Sequence, residues 1–191
     1  LSALLRRMGC VVTDLGIVPD QREATVQALR EAALSHDVIL TSGGVSVGEA
    51  DFVKELLNKL GEVVFWKIAM KPGRPLAYGK IGNAHFFGLP GNPVSVMVTF
   101  YQFVRDALLK LSGRDPIEAL PTFKVPCTST LKKAPGRTEF QRGILSRDAS
   151  GNLSVRVTGE QGSGILRSMS EANCFIILAI EQGNVTSGTM V

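Results

Sequence analysis

Asp37-Val38-Ile39-Leu40-Thr41-Ser42-Gly43-Gly44-Val45-Ser46-Val47-Gly48-Glu49-Ala50-Asp51 is an apolar run that stops in a turn of small residues and leads into a helix. The run Asp37–Thr41 reads as a short buried strand. Ser42-Gly43-Gly44 supplies residues that tolerate the backbone angles of a tight turn. Asp51–Leu60 then places Phe52, Val53, Leu56, Leu57 and Leu60 at helical spacing. Ligands of open α/β sheets bind at the carboxyl ends of strands. Successive backbone N–H groups in such a turn form a nest for an anion, and Ser42 and Ser46 add hydroxyl donors. No Gly-Lys-Ser/Thr follows and no G-x-G-x-x-G is present, so neither nucleotide fingerprint applies. A tight strand-to-helix turn that needs glycine only for its conformation stands beside the anion-binding reading.

The same alternation continues outward. Upstream, Leu1–Gly9 reads as the later turns of a helix ending at Gly9, Cys10–Leu15 as a short strand, and Gln21–Ser35 as a helix. The helix carries Ala24, Ala28, Leu29, Ala32 and Ala33 on one face. Downstream, Glu62–Ile68, Leu76–Tyr78 and His85–Gly88 are strand-like. Pro93–Leu111 is a long apolar helix with Asn92 at its N-cap and Pro93 at its first position. Strands alternating with helices predict an α/β domain, a parallel or mixed sheet covered by helices on both faces. Ser112-Gly113, Pro116 and Pro121 mark a linker. Beyond it, Thr122–Lys132, Glu139–Ser146, Leu153–Thr158 and Cys174–Ile180 alternate or are β-branched, as in a small all-β module. The predicted domains are 1–113 and 122–191, joined by 114–121.

The 191 residues are 45% hydrophobic and 20% charged, a globular composition. Twenty-one Lys and Arg against 17 Asp and Glu leave a formal charge of +4. That surplus suits an anionic small ligand and makes no case for nucleic acid. No run reaches the roughly 18 apolar residues of a membrane helix. Three cysteines without metal-ligand spacing fit free thiols in a reducing cytoplasm. Two histidines exclude a His-rich metal site. The opening at Leu1, inside a helix, reads as a piece of a longer protein.

Four further groups of residues could carry chemistry. Gly88-Leu89-Pro90-Gly91-Asn92-Pro93-Val94-Ser95 is a second strand, Gly-rich turn and helix start. The helix dipole and first-turn N–H groups favour an anion there, and Ser95 could donate to it. An ordinary capped helix is the alternative. Lys67-Ile68-Ala69-Met70-Lys71-Pro72-Gly73-Arg74-Pro75 gathers three cations around a proline-limited turn. On an extended segment, Lys67 and Lys71 would share one face, although a solvated charged turn explains the same residues. Asp20 and Asp51 each sit at a helix start. They read either as N-caps or as ligands of a hard divalent cation. Arg137, Arg142 and the turn Gln161-Gly162-Ser163-Gly164 fall in the β-module, where Arg142 could grip an oxyanion bidentately. A basic surface strand is the alternative.

Taken in this order, Thr41–Asp51, Lys71-Pro72-Gly73-Arg74-Pro75, Gly88–Ser95, Pro135-Gly136-Arg137, Phe140-Gln141-Arg142-Gly143 and Gln161-Gly162-Ser163 resemble the MoeA-type molybdopterin molybdenumtransferases. The E domain of gephyrin is a eukaryotic relative of these enzymes. The resemblance implies a MogA-like α/β fold followed by a C-terminal β-barrel. It implies a homodimeric cytoplasmic enzyme that inserts molybdate into adenylyl-molybdopterin and releases AMP with the help of Mg²⁺. A MogA-type adenylyltransferase is the implied pathway partner, and neither nucleic acid nor membrane is expected. Carried over by position, the catalytic residues are Asp20, Asp51, Lys67, Lys71 and Arg142, with Asp20 and Asp51 holding the cation. The substrate contacts are Ser42, Gly43, Gly44, Ser46, Arg74, Gly91, Asn92, Ser95, Arg137 and Ser163. Arg74 stands where a lysine is associated with the family, which keeps the charge and changes the hydrogen-bond geometry. The family's first two domains have no counterpart here, so this fragment is not expected to complete the reaction alone. A MogA-like adenylyltransferase and a non-catalytic, gephyrin-like scaffold are the alternative readings.

Overall fold

The computed structural model describes residues 1–19, 21–43 and 61–191. Asp20, Gly44, Ser46, Asp51 and the helix predicted over Asp51–Leu60 lie outside the described residues. Packing divides the chain into two compact units, Leu1–Trp66 with Pro75–Gly91, and Lys67–Arg74 with Asn92–Val191.

In the first unit, helix α1 (Ser2–Arg7) stops at Gly9, whose φ is 82°. The N–H of Cys10 bonds to the Leu5 carbonyl and that of Gly9 to the Arg6 carbonyl. This is the paired closure that a left-handed glycine allows at a helix end. Helix α2 (Arg22–Ser35) buries Leu29 and Ala32. They meet Ile39, Ala77, Ile81, Ala84 and Phe86 in one apolar cluster, with Val26 and Ala33 at its margin.

The sheet beneath has the order β1-β5-β4-β2, built from β1 (Val38–Ser42), β2 (Gly61–Lys67), β4 (Pro75–Ile81) and β5 (Ala84–Leu89). Strand β1 runs parallel to β5, and β4 runs antiparallel to β5. Gly82, at φ 59°, opens the two-residue turn between β4 and β5. A glycine at that position suits a hairpin turn whose twist matches its strands. The sheet is therefore mixed, and the predicted strands at 76–78 and 85–88 are longer because they pair with each other.

Cys10–Leu15 is a correction. Residues 10–19 form no strand, and Val11 and Ile17 are each 98% exposed. An apolar run becomes a strand when a neighbour offers it a ladder and a face to bury. No described strand pairs with it. Side-chain bonds fasten the segment instead: Thr13 Oγ1 to His36 Nε2 at 2.8 Å, and Ser2 Oγ to the Asp14 carboxylate at 3.1 Å.

The second unit holds β3 (Met70–Lys71), β6 (Thr138–Arg147), β7 (Leu153–Val157) and β8 (Cys174–Leu178). Its helical run, predicted as one helix, is continuous but changes winding. Helix α3 (Pro93–Thr99) passes through a π-helical stretch at Phe100–Val104 into α4 (Arg105–Leu111). The run closes at Gly113, φ 87°, with Gly113 N–H on Lys110 and Arg114 N–H on Leu109.

Strand β6 pairs antiparallel with β8 through Glu139–Gly143 and with β7 through Gly143–Arg147. Its first residues also pair in parallel with β3. Val125, Cys127, Leu131, Val155, Ile176, Leu178 and Val185 form the core of this β-rich region. Helix α5 (Leu166–Glu171) interrupts the strands. The described strands close no barrel. A single ten-residue strand collects three partners instead, and the module is not purely β. Cys10, Cys127 and Cys174 are free thiols. Burial pushes the Cys174 thiol above its usual pKa.

Candidate functional site

In the first unit the two Gly-rich turns lie side by side. Thr41 pairs with Gly88 and Ser42 with Leu89, so both turns leave the sheet at the carboxyl ends of neighbouring parallel strands. Ser42 Oγ donates to the Pro90 carbonyl at 3.4 Å, and Gly43 N–H to the Leu89 carbonyl at 3.0 Å. Gly43 has φ 90°, a conformation that favours glycine. A Cβ on Gly91 would stand 3.6 Å from the Gly43 Cα. The Gly43 amide, expected in an anion nest, is thus engaged in joining the two turns. Two chain segments 48 residues apart form one small-residue rim.

The second unit arranges the cations. Lys67–Arg74 is a compact loop rather than one extended strand. Ile68 N–H bonds to the Arg74 carbonyl at 2.8 Å, and Met70 N–H reaches back to Ile68 at 2.8 Å. The even-spacing expectation that aligned Lys67 with Lys71 therefore fails, because the chain turns between them. Met70 anchors the loop against Val94, Val98 and Phe140. Gly73, φ 101°, lies so close to α3 that a Cβ would sit 2.7 Å from Thr99 Cγ2. Lys67 and Arg74 are exposed and make no ion pair among the described residues. Lys71 Nζ lies 3.3 Å from Glu139 Oε1.

Asn92 occupies the N-cap position of α3, but its side chain does not cap the helix. Its Nδ2 donates to Ser163 Oγ at 3.1 Å, while the Ser163 carbonyl accepts the Val94 N–H at 3.3 Å. Ser163 thus takes the capping role that sequence position gave to Asn92. Ser95 is buried in the first turn, 4% exposed, and not open to solvent as an anion donor would be.

Arg142 departs furthest from its expected setting. It is 1% exposed. Its Nε donates to Ser168 Oγ at 3.0 Å, Nη2 to the Gly162 carbonyl at 3.2 Å, and Nη1 to the Phe140 carbonyl at 3.5 Å. Burial pulls its pKa below the usual guanidinium value. The fork that could grip an oxyanion grips the Gln161–Gly164 turn from within. Gln161 clamps the same turn to β6 by bonding both the N–H and the carbonyl of Arg142. Arg137 remains exposed.

Glu139, Gln141 and Ser168 are buried polar residues that the sequence reading did not single out. The available signal was the alternation in Glu139-Phe140-Gln141-Arg142. It puts Glu139 and Gln141 on one face of the strand and Phe140 and Arg142 on the other. Among the described residues no group of three His, Cys, Asp or Glu could hold a metal ion. Asp20 and Asp51, expected to hold the cation, lie outside them.

Comparison with known proteins agrees with these elements. Residues 1–110 match the family described as a probable molybdopterin binding domain, and residues 124–191 match the MoeA C-terminal region, domain IV. The chain is 48% identical over 191 residues to a molybdopterin molybdenumtransferase of Haemophilus influenzae, covering all of this chain and 47% of that protein. It is 36% identical over 199 residues to gephyrin of Dictyostelium discoideum, covering 93% of this chain and 28% of that protein. A molybdopterin biosynthesis MoeA protein of Pyrococcus horikoshii superposes with a TM-score of 0.79 at 26% identity, covering 99% of this chain and 45% of that one. A molybdenum cofactor biosynthesis protein of Pyrococcus furiosus superposes at 0.75 with 28% identity, covering all of this chain and 60% of that one. The chain spans about half or less of the curated relatives it matches. With more than half its length in the first match and its remaining strands in the second, the chain belongs to the molybdopterin-binding domain family, in the form that continues into the MoeA C-terminal region.

Proposed function

We propose that the protein containing this chain is a molybdopterin molybdenumtransferase, which inserts molybdate into adenylyl-molybdopterin and releases AMP. The observation that carries this reading is the pair of stitched glycine turns, Ser42-Gly43 and Leu89-Pro90-Gly91, at the carboxyl ends of two parallel strands. Close backbone approach at strand ends suits a phosphate-bearing ligand. In this reading residues 1–113 bind the pterin, residues 122–191 form the C-terminal module, and 114–121 joins them. Ser42, Gly43, Gly44, Ser46, Gly91 and Asn92 serve the pterin phosphate. Lys67, Lys71 and Arg74 serve molybdate.

The chemical problem is to hold two anions together. Two unit charges of like sign at 4 Å repel by about 4 kcal/mol at an effective dielectric of 20. The exposed cations of the Lys67–Arg74 loop offset that repulsion. Arg142 acts through the turn it holds, placing Ser163 at the start of α3. Mg²⁺ held by Asp20 and Asp51 belongs to the same reading, supported by residue type and by the resemblance. A homodimeric cytoplasmic enzyme, fed by a MogA-type adenylyltransferase, completes the proposal.

The test is AMP release by the full-length protein from adenylyl-molybdopterin. Release that depends on molybdate is the expected result. Release without molybdate, or consumption of ATP in its place, would overturn the reading.

A further inference from the structure

We propose that Glu139 is the positioning residue for Lys71. Its buried carboxylate, fixed from the other side by Gln141, aims the Lys71 ammonium outward at the oxyanion. This rests on the reading above, in which Lys71 meets molybdate.

The two residues come from segments 68 apart in sequence and face each other as partners in the parallel β3–β6 pairing. Their environments differ sharply: the Lys71 side chain is 46% exposed and that of Glu139 is 5% exposed. A buried carboxylate must be hydrogen-bonded. Glu139 divides its two oxygens, Oε1 accepting from Lys71 Nζ at 3.3 Å and Oε2 from Gln141 Nε2 at 3.2 Å. Gln141 is itself buried and anchored through the same nitrogen to the Lys132 carbonyl at 3.1 Å. The chain of bonds therefore runs from the backbone, through Gln141 and Glu139, to the ammonium.

Lys71 has three N–H donors. One faces Glu139, and the others have no partner among the described residues. A lysine stem is otherwise flexible, and holding it in place removes an ordering cost from ligand binding. Lys67 and Arg74, exposed and without such a partner, are the contrast within the same loop.

Two other roles for Glu139 make opposite forecasts. A carboxylate that merely competed with the oxyanion would, once neutralised, leave molybdate bound more tightly. A purely structural counter-charge would change stability and leave the molybdate response alone. Positioning predicts weaker molybdate use. In the full-length protein, Glu139→Gln should raise the KM for molybdate by about 3–30-fold with kcat at saturating molybdate within about twofold. Gln141→Met should shift KM in the same direction by less. An unchanged or lowered KM overturns the proposal.

A measurement on the protein with Glu139 and Gln141 unchanged covers the case in which either of those variants fails to fold. Lysines are ¹³C-methylated by reductive methylation, and the Lys71 NMR signal is identified by its loss in Lys71→Arg. A Lys71 signal separate from those of solvent-exposed lysines, which moves when inorganic molybdate is added, is the expected result. A Lys71 signal that coincides with free lysines shows the ammonium is not held and overturns the proposal. Lys71→Ala separates the two levels: if it leaves the molybdate requirement intact, the functional reading of Lys71 fails, whatever the Glu139 tie shows in the spectrum.

Discussion

Arg142 shows how much one buried side chain can organise. Its guanidinium, 1% exposed, is met by one hydroxyl and two carbonyls, and no carboxylate pairs with it among the described residues. Each of those bonds answers a charge that water no longer solvates. Ser168→Ala deletes the Nε acceptor and should cost about 1.5–3 kcal/mol, the range for hydrogen bonds to charged groups, read from the urea midpoint. An unchanged midpoint would mean that water replaces the hydroxyl at no cost. Gly143, next along the strand, has no room for a side chain. A Cβ there would meet Ile176, Cys174 and Val155 at 2.9–3.0 Å. Gly143→Ala should destabilise by about 1–3 kcal/mol, the usual penalty of overpacking, again checked by denaturation.

At the scale of elements, helix α3 and the Lys67–Arg74 loop depend on each other. Thr99, fully buried, donates Oγ1 to the carbonyls of Ser95 and Val96 at 2.8 and 3.0 Å. Such back-bonding competes with the helical ladder and bends helices. The π-helical stretch begins at the next residue. Gly73 rests on the Thr99 methyl at φ 101°, where an L side chain is strained as well as crowded. Gly73→Ala should therefore lower stability by about 1–3 kcal/mol and displace the neighbouring Lys71. Molybdate use should fall with it, measured as AMP release at limiting molybdate. Gly136→Ala serves as the comparison: φ is 99° there too, but a Cβ would meet open space, so it should lose stability while sparing the molybdate response.

For the molecule as a whole, the proposed chemistry requires a positive loop at a site that receives two anions. Lys71→Ala in the full-length protein should reduce AMP release at limiting molybdate by about 10–100-fold, the loss of one charge-assisted contact. Activity that is unchanged, or that falls equally at saturating molybdate, would count against Lys71 as the molybdate contact. Raising ionic strength should also weaken molybdate use, because an exposed cation is screened within about 10 Å at 0.1 M salt. Salt-independent kinetics would contradict that electrostatic account.

The ends of the elements were legible in the amino-acid order itself. Gly9 and Gly113 stop helices where expected, and Pro93 starts one, since backbone limits at glycine and proline act within a few residues. The glycine turns that follow β1 and β5 were legible for the same reason. Only the tertiary structure decided that Cys10–Leu15 is not a strand, that Arg142 faces inward, that Ser163 takes the place of a cap, and that Glu139 holds Lys71. Each of these depends on a partner far away along the chain. Burial and long-range hydrogen bonding choose among conformations that the local sequence leaves nearly equal in free energy.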